Sequence, residues 1–399
     1  MRVGLDARFL THPQRGGFKA HLQGVVEGLS RLDSSVELVL YVDREPTPEL
    51  VPAGSAVDVR VVPGSTPIVG MPWREQVSLP FAIRNDRLDV FHAPCHTAPM
   101  WLRVPLVVTI HDMLWQRPQH AARSVHRLAL NRYYRDMTLR AVRRARVVLT
   151  VSQASRDAIC RSLPFVDPDG VIVAYNAPRA CFRPVTDRQA LADVPTDAPL
   201  PAQFVLALAS ADPRKNVGTL IEAFARLPPP LRRAFPLVIV WAHGSLAPVA
   251  RALCDTLGIS ADVHFLQAVT DEALAALYSG AAVFAFPSLA EGFGMPVIEA
   301  MACGTAVVAS DDPAVVETAG DAAFLVDARS AEALAAALHE VLANDDVRRD
   351  LRDRGTVRAR RFTWEECARV TAAAYKVAAS PRPQDKRSVG PRQTTTSST

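Results

Sequence analysis

The chain of 399 residues is long for a single hydrophobic core, so two domains are expected. Its hydrophobic content of 49% predicts a globular protein, and a formal net charge of +4 is too small to require a nucleic-acid partner. The cysteines lie far apart and form no CxxC pair, which favours reduced thiols and a cytoplasmic location. No secretory signal is predicted, and no apolar run reaches the roughly 20 residues that span a bilayer. Any membrane contact would then be peripheral, on the cytoplasmic face.

Short apolar runs alternate with helical periodicity along the first part of the chain. A helix from about Phe18 to Leu32 has leucine and valine at helical spacing. Buried strands separated by helices predict a parallel, doubly wound sheet in an N-terminal Rossmann-like domain, residues 1–182. Its predicted strands are Val3–Ala7, Glu37–Val42, Asp58–Val62, Asp89–His92, Pro105–Ile110, Arg146–Val151 and Gly170–Ala174.

The same alternation resumes after residues 183–203, a segment rich in Pro, Asp and Ala that is predicted to be a linker. A second Rossmann-like domain is expected over residues 204–362. Its predicted strands are Phe204–Leu208, Leu237–Val240, Val263–Leu266, Ala282–Phe286, Ala306–Ala309 and Ala323–Val326, with helices near 271–279, 296–303 and 331–343. The fold class is therefore α/β, with two doubly wound domains facing a central cleft that takes ligands at the carboxyl ends of the strands.

One more helix is predicted near the end of the chain, over residues 363–379. Thr363 fits its N-cap, and Glu366 fits the third helical position of a capping box. We expect this helix to pack back on the N-terminal domain. Residues 380–399 are rich in Pro, Arg, Gln and Thr without an apolar pattern, so a disordered tail is expected there.

The stretch Ala290–Gly304 lies between two buried strands and combines a glycine-containing loop with a short helix. Pro296 fits the first turn of that helix, where no amide hydrogen is needed, and Gly304 fits its left-handed end. The free backbone amides at the helix start suit an anion. Glu291 in the loop and Glu299 about a turn into the helix can both face one ligand. Phosphate on the amides and sugar hydroxyls on the carboxylates is the chemistry that this layout indicates.

The neighbouring residues Arg214 and Lys215 follow the strand that ends near Leu208 and start a helix. Such a pair can grip a diphosphate through charged hydrogen bonds. An isolated Arg-Lys pair is more often a solvated basic turn. Here its position after a strand, in the same domain as the two glutamates, favours the diphosphate.

The Arg214-Lys215 pair, the two glutamates in their Gly-Phe-Gly-Met-Pro setting and the two-domain layout resemble the family 4 glycosyltransferases of the GT-B fold. The resemblance covers about residues 1–378 and is strongest over 204–326. It is looser in the N-terminal half, and it implies that the domain of residues 1–182 is the acceptor side. It implies that Arg214 and Lys215 bind the donor diphosphate and that Glu299 binds the ribose hydroxyls. It also implies that Glu291 contacts the transferred hexose together with the backbone that follows it, Gly292, Phe293, Gly294 and Met295. The family is retaining and normally needs no metal.

Two features of the N-terminal half take a role from the same resemblance. His111 follows a strand in Val107–Asp112, and it is expected to contact the donor sugar and position the reacting centre; capping of the loop is the alternative. Asp112 is expected to fix the histidine or the loop. Gly16 and Gly17 are expected near the donor phosphates and the acceptor, where glycine lets the backbone approach a ligand closely. The segment that follows them, Phe18–His21, is not the family's commonest form, which leaves the acceptor side open.

Two patterns that mimic metal sites are set aside. His92 and His96 flank Cys95, but no third ligand follows at a suitable interval, so a loop lining the acceptor cleft is favoured. Asp167–Asp169 has the DxD form but stands before a strand, in a proline turn. No metal and no cofactor other than the nucleotide-sugar substrate are expected.

A basic region over 123–146 could meet anionic lipid headgroups or a lipid diphosphate, or it could be an ordinary solvated helix face. Both interpretations stay open. Its basic residues are Arg123, Arg127, Arg132, Arg135, Arg140, Arg143, Arg144 and Arg146, interleaved with Leu128, Leu130, Tyr133, Tyr134, Met137 and Leu139.

The resulting prediction is a retaining glycosyltransferase that moves a hexose from a nucleoside-diphosphate sugar to a saccharide or lipid-linked acceptor, in surface polysaccharide or O-antigen assembly. His111, Glu291, Arg214 and Lys215 are its expected catalytic residues. GDP-mannose is favoured because the Thr109–Asp112 loop resembles that of bacterial mannosyltransferases, and other sugar nucleotides stay open. The alternatives are a polymer-extending glycan synthase of the same fold and an inactive sugar-nucleotide-binding protein. A nicotinamide dehydrogenase is excluded because the first strand–helix turn has no GxGxxG.

Overall fold

The computed structural model describes residues 1–11, 16–32, 36–46, 57–64, 70–116, 125–194, 196, 200–241 and 247–381. The predicted tail lies outside these residues from 382 onward, and so does Arg123 of the basic region.

Within the described residues, seven parallel strands form the first sheet in the order β3-β2-β1-β4-β5-β6-β7. The strands are β1 Arg2–Asp6, β2 Glu37–Val42, β3 Val57–Val61, β4 Val90–Ala93, β5 Leu106–Thr109, β6 Val147–Thr150 and β7 Val171–Val173. Six more form the second sheet in the order β10-β9-β8-β11-β12-β13. They are β8 Val205–Ala209, β9 Leu237–Trp241, β10 Val263–Gln267, β11 Val283–Phe286, β12 Ala306–Ser310 and β13 Phe324–Val326. These two sheets confirm the predicted α/β fold with two Rossmann-like domains. The prediction was possible because buried parallel strands appear in a sequence as short apolar runs bounded by turn residues.

Helices connect these strands and cover the sheets. In the first half they are α1 Arg8–Thr11, α2 Gly17–Arg31, α3 Gly70–Trp73, α4 Leu79–Ile83, α5 Val125–Arg144 and α6 Gln153–Ser162, with a π-helical segment Arg74–Ser78 between α3 and α4. In the second half they are α7 Arg188–Ala192, α8 Val217–Ala225, α9 Pro229–Ala234, α10 Ala247–Thr256, α11 Asp271–Gly280, α12 Met295–Ala302, α13 Pro313–Ala319, α14 Ala331–Ala343, α15 Asp345–Ala359 and α16 Trp364–Ala379. Short 3-10 turns occupy Leu114–Gln116, Pro168–Gly170, Pro213–Lys215 and Ser260–Asp262.

The segment predicted as a linker is partly helical. It contains α7, and the Leu191 side chain of that helix lies so close to Gly280 of α11 that a Cβ there would come within 2.9 Å of it. The segment is therefore packed against the second domain at this point.

The terminal helix α16 crosses to the first domain and packs on α2 through glycine. A Cβ on Gly24 would lie 2.2 Å from the Trp364 ring, and one on Gly28 would lie 2.4 Å from the Trp364 carbonyl oxygen. The Thr363 hydroxyl accepts the Glu366 backbone N–H at 3.2 Å, which makes it the N-cap as expected. The capping box is only half formed, because the Glu366 carboxylate turns instead to the Arg369 guanidinium at 2.5 Å. A charged partner three residues further along the helix replaces the backbone contact.

Candidate active site

The loop after β8 carries the basic pair. Asp212 accepts the backbone N–H of Arg214 at 3.0 Å and starts the 3-10 turn. The Arg214 guanidinium donates to Asp212 at 2.9 Å through Nε and to the Ala290 carbonyl oxygen at 3.2 Å through Nη1. Lys215 Nζ donates to Glu291 Oε1 at 2.6 Å. Because β8 and β11 are neighbours in the sheet, the structure brings Arg214, Lys215 and Glu291 together at its carboxyl edge.

The Glu291 carboxylate has a second partner in its own loop. Its Oε1 accepts the Ser288 hydroxyl at 2.6 Å as well as the Lys215 ammonium. Both contacts fall on one oxygen, so Oε2 has room to accept from a ligand.

Gly292 lies where the second domain packs against the first. A Cβ at this position would lie 2.3 Å from the carbonyl oxygen of His111 in the first domain. Gly294 then takes a left-handed φ of 92° and begins α12, and Gly304 ends that helix region with a φ of 77°. The glycines of the motif thus have different causes: close approach at Gly292, and a backbone turn at Gly294 and Gly304.

Two more predicted residues follow in this motif. Phe293 is buried and packs edge-on against Phe362, with the ring centroids 5.4 Å apart. Met295 is also buried and forms the first helical position of α12. Burial of both side chains leaves the backbone as the part of this stretch that a ligand can contact.

Glu299 is buried and already paired. Arg179, from the segment that leads out of β7, donates from Nε to Glu299 Oε1 at 3.0 Å and from Nη1 to Asp271 Oδ2 at 2.6 Å. Burial raises the pKa of Glu299 to about 7, against the opposing effect of the Arg179 charge. Neither Arg179 nor Asp271 was predicted as a site residue. An arginine in a loop and a carboxylate at a helix start look like ordinary surface residues in the sequence.

His111 lies at the carboxyl end of β5 and is buried. Its Nε2 contacts the Pro94 carbonyl oxygen at 2.8 Å. A carbonyl oxygen can only accept, so Nε2 carries the proton and Nδ1 keeps the lone pair. Burial, together with the nearby imidazoles of His21 and His96, lowers the pKa of His111, which keeps the ring neutral at physiological pH. Asp112 accepts the Leu114 N–H at 2.9 Å and so shapes the loop.

The histidine surroundings were only partly expected. His96 Nε2 accepts the backbone N–H of His111 at 3.2 Å, and the Phe18 ring meets the His111 ring edge-on at 4.9 Å. The His21 ring also meets the His111 ring edge-on, with the centroids 4.6 Å apart.

Gly16 and Gly17 lead into the helix that carries Phe18 and His21, but a Cβ on either glycine would meet no described atom within 4 Å. The fold itself therefore does not require glycine at these two positions.

Other contacts between the domains involve residues that the sequence did not single out. Ser152 donates to the Gly292 carbonyl oxygen at 2.6 Å, and Ser155 donates to that of His111 at 2.9 Å. The Glu317 carboxylate from α13 accepts two backbone N–H groups at the start of α6, at 2.7 and 2.8 Å. An acidic side chain of one domain thus caps a helix of the other, where the helix dipole favours negative charge.

The patterns set aside as metal sites have structural partners. His92 contacts Tyr375 Oη and Thr109 Oγ1 through its two ring nitrogens, each at 2.8 Å. Asp167 caps the turn Pro168–Gly170 by accepting the Asp169 N–H at 3.0 Å. Across the part of the chain that the structure describes, no group of three or more His, Cys, Asp or Glu side chains is placed to hold a metal ion.

These features, two parallel sheets with a basic pair and two carboxylates at the carboxyl edge of the second, define a glycosyltransferase of the GT-B fold. Residues 15–177 match the family described as Glycosyltransferase Family 4, and residues 193–358 match Glycosyl transferases group 1. The MMP alpha-(1->4)-mannosyltransferase of Mycolicibacterium hassiacum is 32% identical over 378 residues, which cover 88% of this chain and 88% of that protein. The O-antigen chain mannosyltransferase B of Escherichia coli is 29% identical over 298 residues, 74% of this chain and 76% of that protein.

The crystal structure of Anabaena Alr3699/HepE in complex with UDP-glucose has a TM-score of 0.70 at 18% identity, covering 94% of this chain and 99% of that one, which shows a shared fold. The chain belongs to the family 4, group 1 glycosyltransferases and is similar to bacterial mannosyltransferases. This confirms the resemblance stated from the sequence.

Proposed function

We propose that this glycosyltransferase moves mannose from GDP-mannose, with retention of anomeric configuration, to a hydroxyl of a saccharide or lipid-linked acceptor in O-antigen or surface polysaccharide assembly. The observation that carries the proposal is the contact of Lys215 with Glu291 at 2.6 Å, beside Arg214. It joins a diphosphate-binding pair to a carboxylate that can bind sugar hydroxyls. The choice of mannose is supported by the two relatives, which are both named mannosyltransferases.

The proposed chemistry exchanges one bond at the anomeric carbon for another on the same face. The bond from C1 to the diphosphate oxygen breaks, with its electron pair going to the diphosphate, and the acceptor oxygen forms a bond to C1. The acceptor proton passes to the departing diphosphate. Arg214, Lys215 and the backbone amides before α12 stabilise the negative charge that develops on the diphosphate. The two cations supply the positive charge there, so we propose no metal requirement.

Glu291 and His111 have positioning roles in this mechanism. Glu291 Oε1 is occupied by Lys215 and Ser288, which makes the carboxylate a weak nucleophile and a good acceptor of hexose hydroxyls through Oε2. His111 has a free lone pair on Nδ1 because its proton is on Nε2, which donates a hydrogen bond to the Pro94 carbonyl oxygen. A neutral imidazole in this tautomer accepts a hydrogen bond from a sugar hydroxyl and orients the reacting carbon.

The assignment is tested by donor binding and turnover. Thermal-shift screening of GDP, UDP, ADP and dTDP sugars identifies the donor, and NMR of the product reads the anomeric configuration. Arg214→Ala with Lys215→Ala should abolish donor binding. The control is Arg226→Ala with Arg233→Ala, which removes two exposed charges from the same domain away from the loop. Undiminished donor affinity and turnover in the first variant would refute the assignment.

The alternatives give different outcomes in the same screen. Selective binding of a UDP sugar would replace GDP-mannose, as the HepE complex with UDP-glucose permits. Donor binding without turnover across acceptors would support an inactive binding protein. Addition of many identical units to one acceptor would support a polymer-extending synthase.

We also propose that the reaction takes place in the cytoplasm at the surface of the inner membrane. None of the described helices is both long enough and apolar enough to cross a bilayer. All six cysteines are free thiols, which suits a reducing compartment. Three large aromatic side chains near α3 and α4 are exposed: Trp73 at 61%, Phe81 at 74% and Trp101 at 82%.

The basic helix α5 lies beside these aromatic residues. Tyr133 of α5 reaches Glu75 at 3.4 Å, and Arg144 at its end donates to the Pro99 carbonyl oxygen at 3.2 Å. Its Arg132, Arg135, Arg140 and Arg143 side chains are exposed. Exposed aromatic rings and exposed arginines on neighbouring elements complement an anionic bilayer surface.

Sedimentation with vesicles tests this membrane surface. The triple variant Trp73→Ser, Phe81→Ser, Trp101→Ser should lose binding to phosphatidylglycerol vesicles, whereas Val249→Ser with Val357→Ser, two exposed apolar residues of the second domain, should not. Equal binding of the triple variant and the wild type would contradict this surface.

A further inference from the structure

His21 is a buried polar side chain that the mechanism above does not use. It lies on α2, is 3% exposed, and its ring meets the His111 ring at 87° with the centroids 4.6 Å apart. Its Nδ1 contacts the Asn176 amide oxygen at 2.7 Å. Since an amide oxygen only accepts, Nδ1 carries the proton and Nε2 keeps the lone pair.

The other ring nitrogen of His21 is costly to bury. Nε2 has no hydrogen-bond partner among the described residues and is shielded from solvent. An unpaired buried polar atom destabilises the folded protein, whereas an aromatic hydrocarbon ring would fill this space without that cost. A buried polar atom without a hydrogen-bond partner calls for an explanation other than packing.

We propose that the His21–Asn176 pair is a positioning device for His111, which holds the His111 ring at one rotation and uncharged so that its Nδ1 lone pair faces a hydroxyl of the donor sugar. That ring has three supports besides the stacked His96 ring, whose centroid is 5.8 Å away. The Pro94 carbonyl oxygen accepts a hydrogen bond from its Nε2 at 2.8 Å, the Phe18 ring packs edge-on at 4.9 Å, and the His21 ring packs edge-on at 4.6 Å. The contact with Asn176 in turn fixes the rotation and tautomer of His21.

The charge state of these histidines matters as well as their packing. Burial lowers the pKa of His21 to about 4, and burial together with the nearby His21 lowers the pKa of His92 to about 3. The pKa of His96, next to His111, is also lowered by burial, with Asp112 opposing the shift. All four rings are therefore neutral at physiological pH. A cationic His21 would repel any positive charge on its neighbours and disturb this packing.

The position of Asn176 gives the pair a wider role. Asn176 belongs to the short segment between β7 and the second domain, and Arg179 of the same segment holds Glu299. The Pro178 carbonyl oxygen between them accepts the Trp364 indole N–H at 3.1 Å, which anchors the segment to α16. One segment thus supports His111 at the proposed sugar end and Glu299 at the proposed nucleoside end of the site.

Asn176→Asp is the sharpest test, because it places a carboxylate on the Nδ1 side of His21 and favours the imidazolium. We expect NMR of histidine-labelled protein to show a His21 pKa above neutrality in this variant and near 4 in the wild type. Turnover should then fall about tenfold for each pH unit below the new pKa, because only the neutral form supports His111. Asn344→Asp, at the N-cap of α15, introduces the same charge as a control and should keep the wild-type profile. A wild-type pH profile in Asn176→Asp despite a raised His21 pKa would overturn the proposal.

A second variant tests the proposal in case Asn176→Asp does not fold. His21→Phe keeps the ring packing and removes the hydrogen bond to Asn176, and we expect kcat to fall about tenfold with the donor KM changed less than about twofold and the melting temperature retained. His339→Phe on the exposed face of α14 is its control. Wild-type kcat in His21→Phe would refute the positioning role.

The proposal depends on the proposed function, but the two fail differently. If the wild type transfers sugar from no donor, the proposed function fails, while the NMR titration still reports on the pair. A wild-type His21 that titrates at its ordinary pKa, or carries its proton on Nε2, would overturn the positioning device whatever the donor.

Discussion

Arg179 offers the sharpest test of how the donor site works. Its guanidinium joins the buried Glu299, at 3.0 Å, to Asp271, at 2.6 Å. With the charge centres about 4 Å apart and an effective dielectric constant of about 20, the attraction to Glu299 is about 4 kcal/mol, equivalent to roughly three pKa units. Burial already raises the pKa of Glu299 to about 7 with Arg179 in place. Arg179→Met should therefore keep Glu299 protonated throughout the neutral range.

The sign of the pH effect follows from the charge that the ligand needs. Ribose hydroxyls donate to an ionised Glu299, so GDP affinity of the wild type should rise as the pH increases through about 7 and fall as it decreases. In Arg179→Met the increase of GDP affinity with pH should occur only above about pH 9. At neutral pH the GDP affinity should drop about tenfold, because one charge-assisted hydrogen bond is lost. Isothermal titration calorimetry with GDP and GDP-mannose across this pH range measures both effects.

Two variants complete the design. Glu299→Gln cannot titrate and should bind weakly at every pH, and Arg179→Lys keeps the charge and should give an intermediate affinity. If Arg179→Met bound GDP with the affinity and pH dependence of the wild type, the coupling between Arg179 and Glu299 would be wrong.

Three further variants probe the contact between the domains and the packing of the terminal helix. Gly292→Ala should reduce kcat about 100-fold, because its Cβ would lie 2.3 Å from the His111 carbonyl oxygen and push the domains apart; steady-state kinetics check this. Glu317→Gln should weaken the interdomain helix cap by about 1–2 kcal/mol, and small-angle scattering should show a larger radius of gyration. Gly24→Ala should lose about 1–3 kcal/mol of stability to overpacking against the terminal helix, whereas Gly218→Ala, with open space around its Cβ, should melt no lower than the wild type.

Much of the architecture was predictable because it is local. Each predicted strand begins and ends within one residue of the observed one, since a buried parallel strand is a short apolar run bounded by turn residues. The Arg214–Lys215 turn and the Glu291–Glu299 motif were recognisable for the same reason. Their spacing along the chain reflects a strand, a loop and a helix start, and parallel topology then brings such loops to one edge of the sheet.

The partners of these residues could be found only in three dimensions. Arg179 is 120 positions from Glu299, and His21 is 155 positions from Asn176. A buried arginine is equally hidden in the sequence: Arg74 is fully buried and donates to Asp6 at 3.0 Å and to two backbone carbonyl oxygens at 2.8 Å. Sequence periodicity reports which face of an element is apolar, but not which distant polar group compensates a charge. The amino-acid sequence thus determined the two sheets and the family of the enzyme. The tertiary structure decided which side chains hold its predicted site residues in place, because those pairings depend on how the two domains and the terminal helix come together.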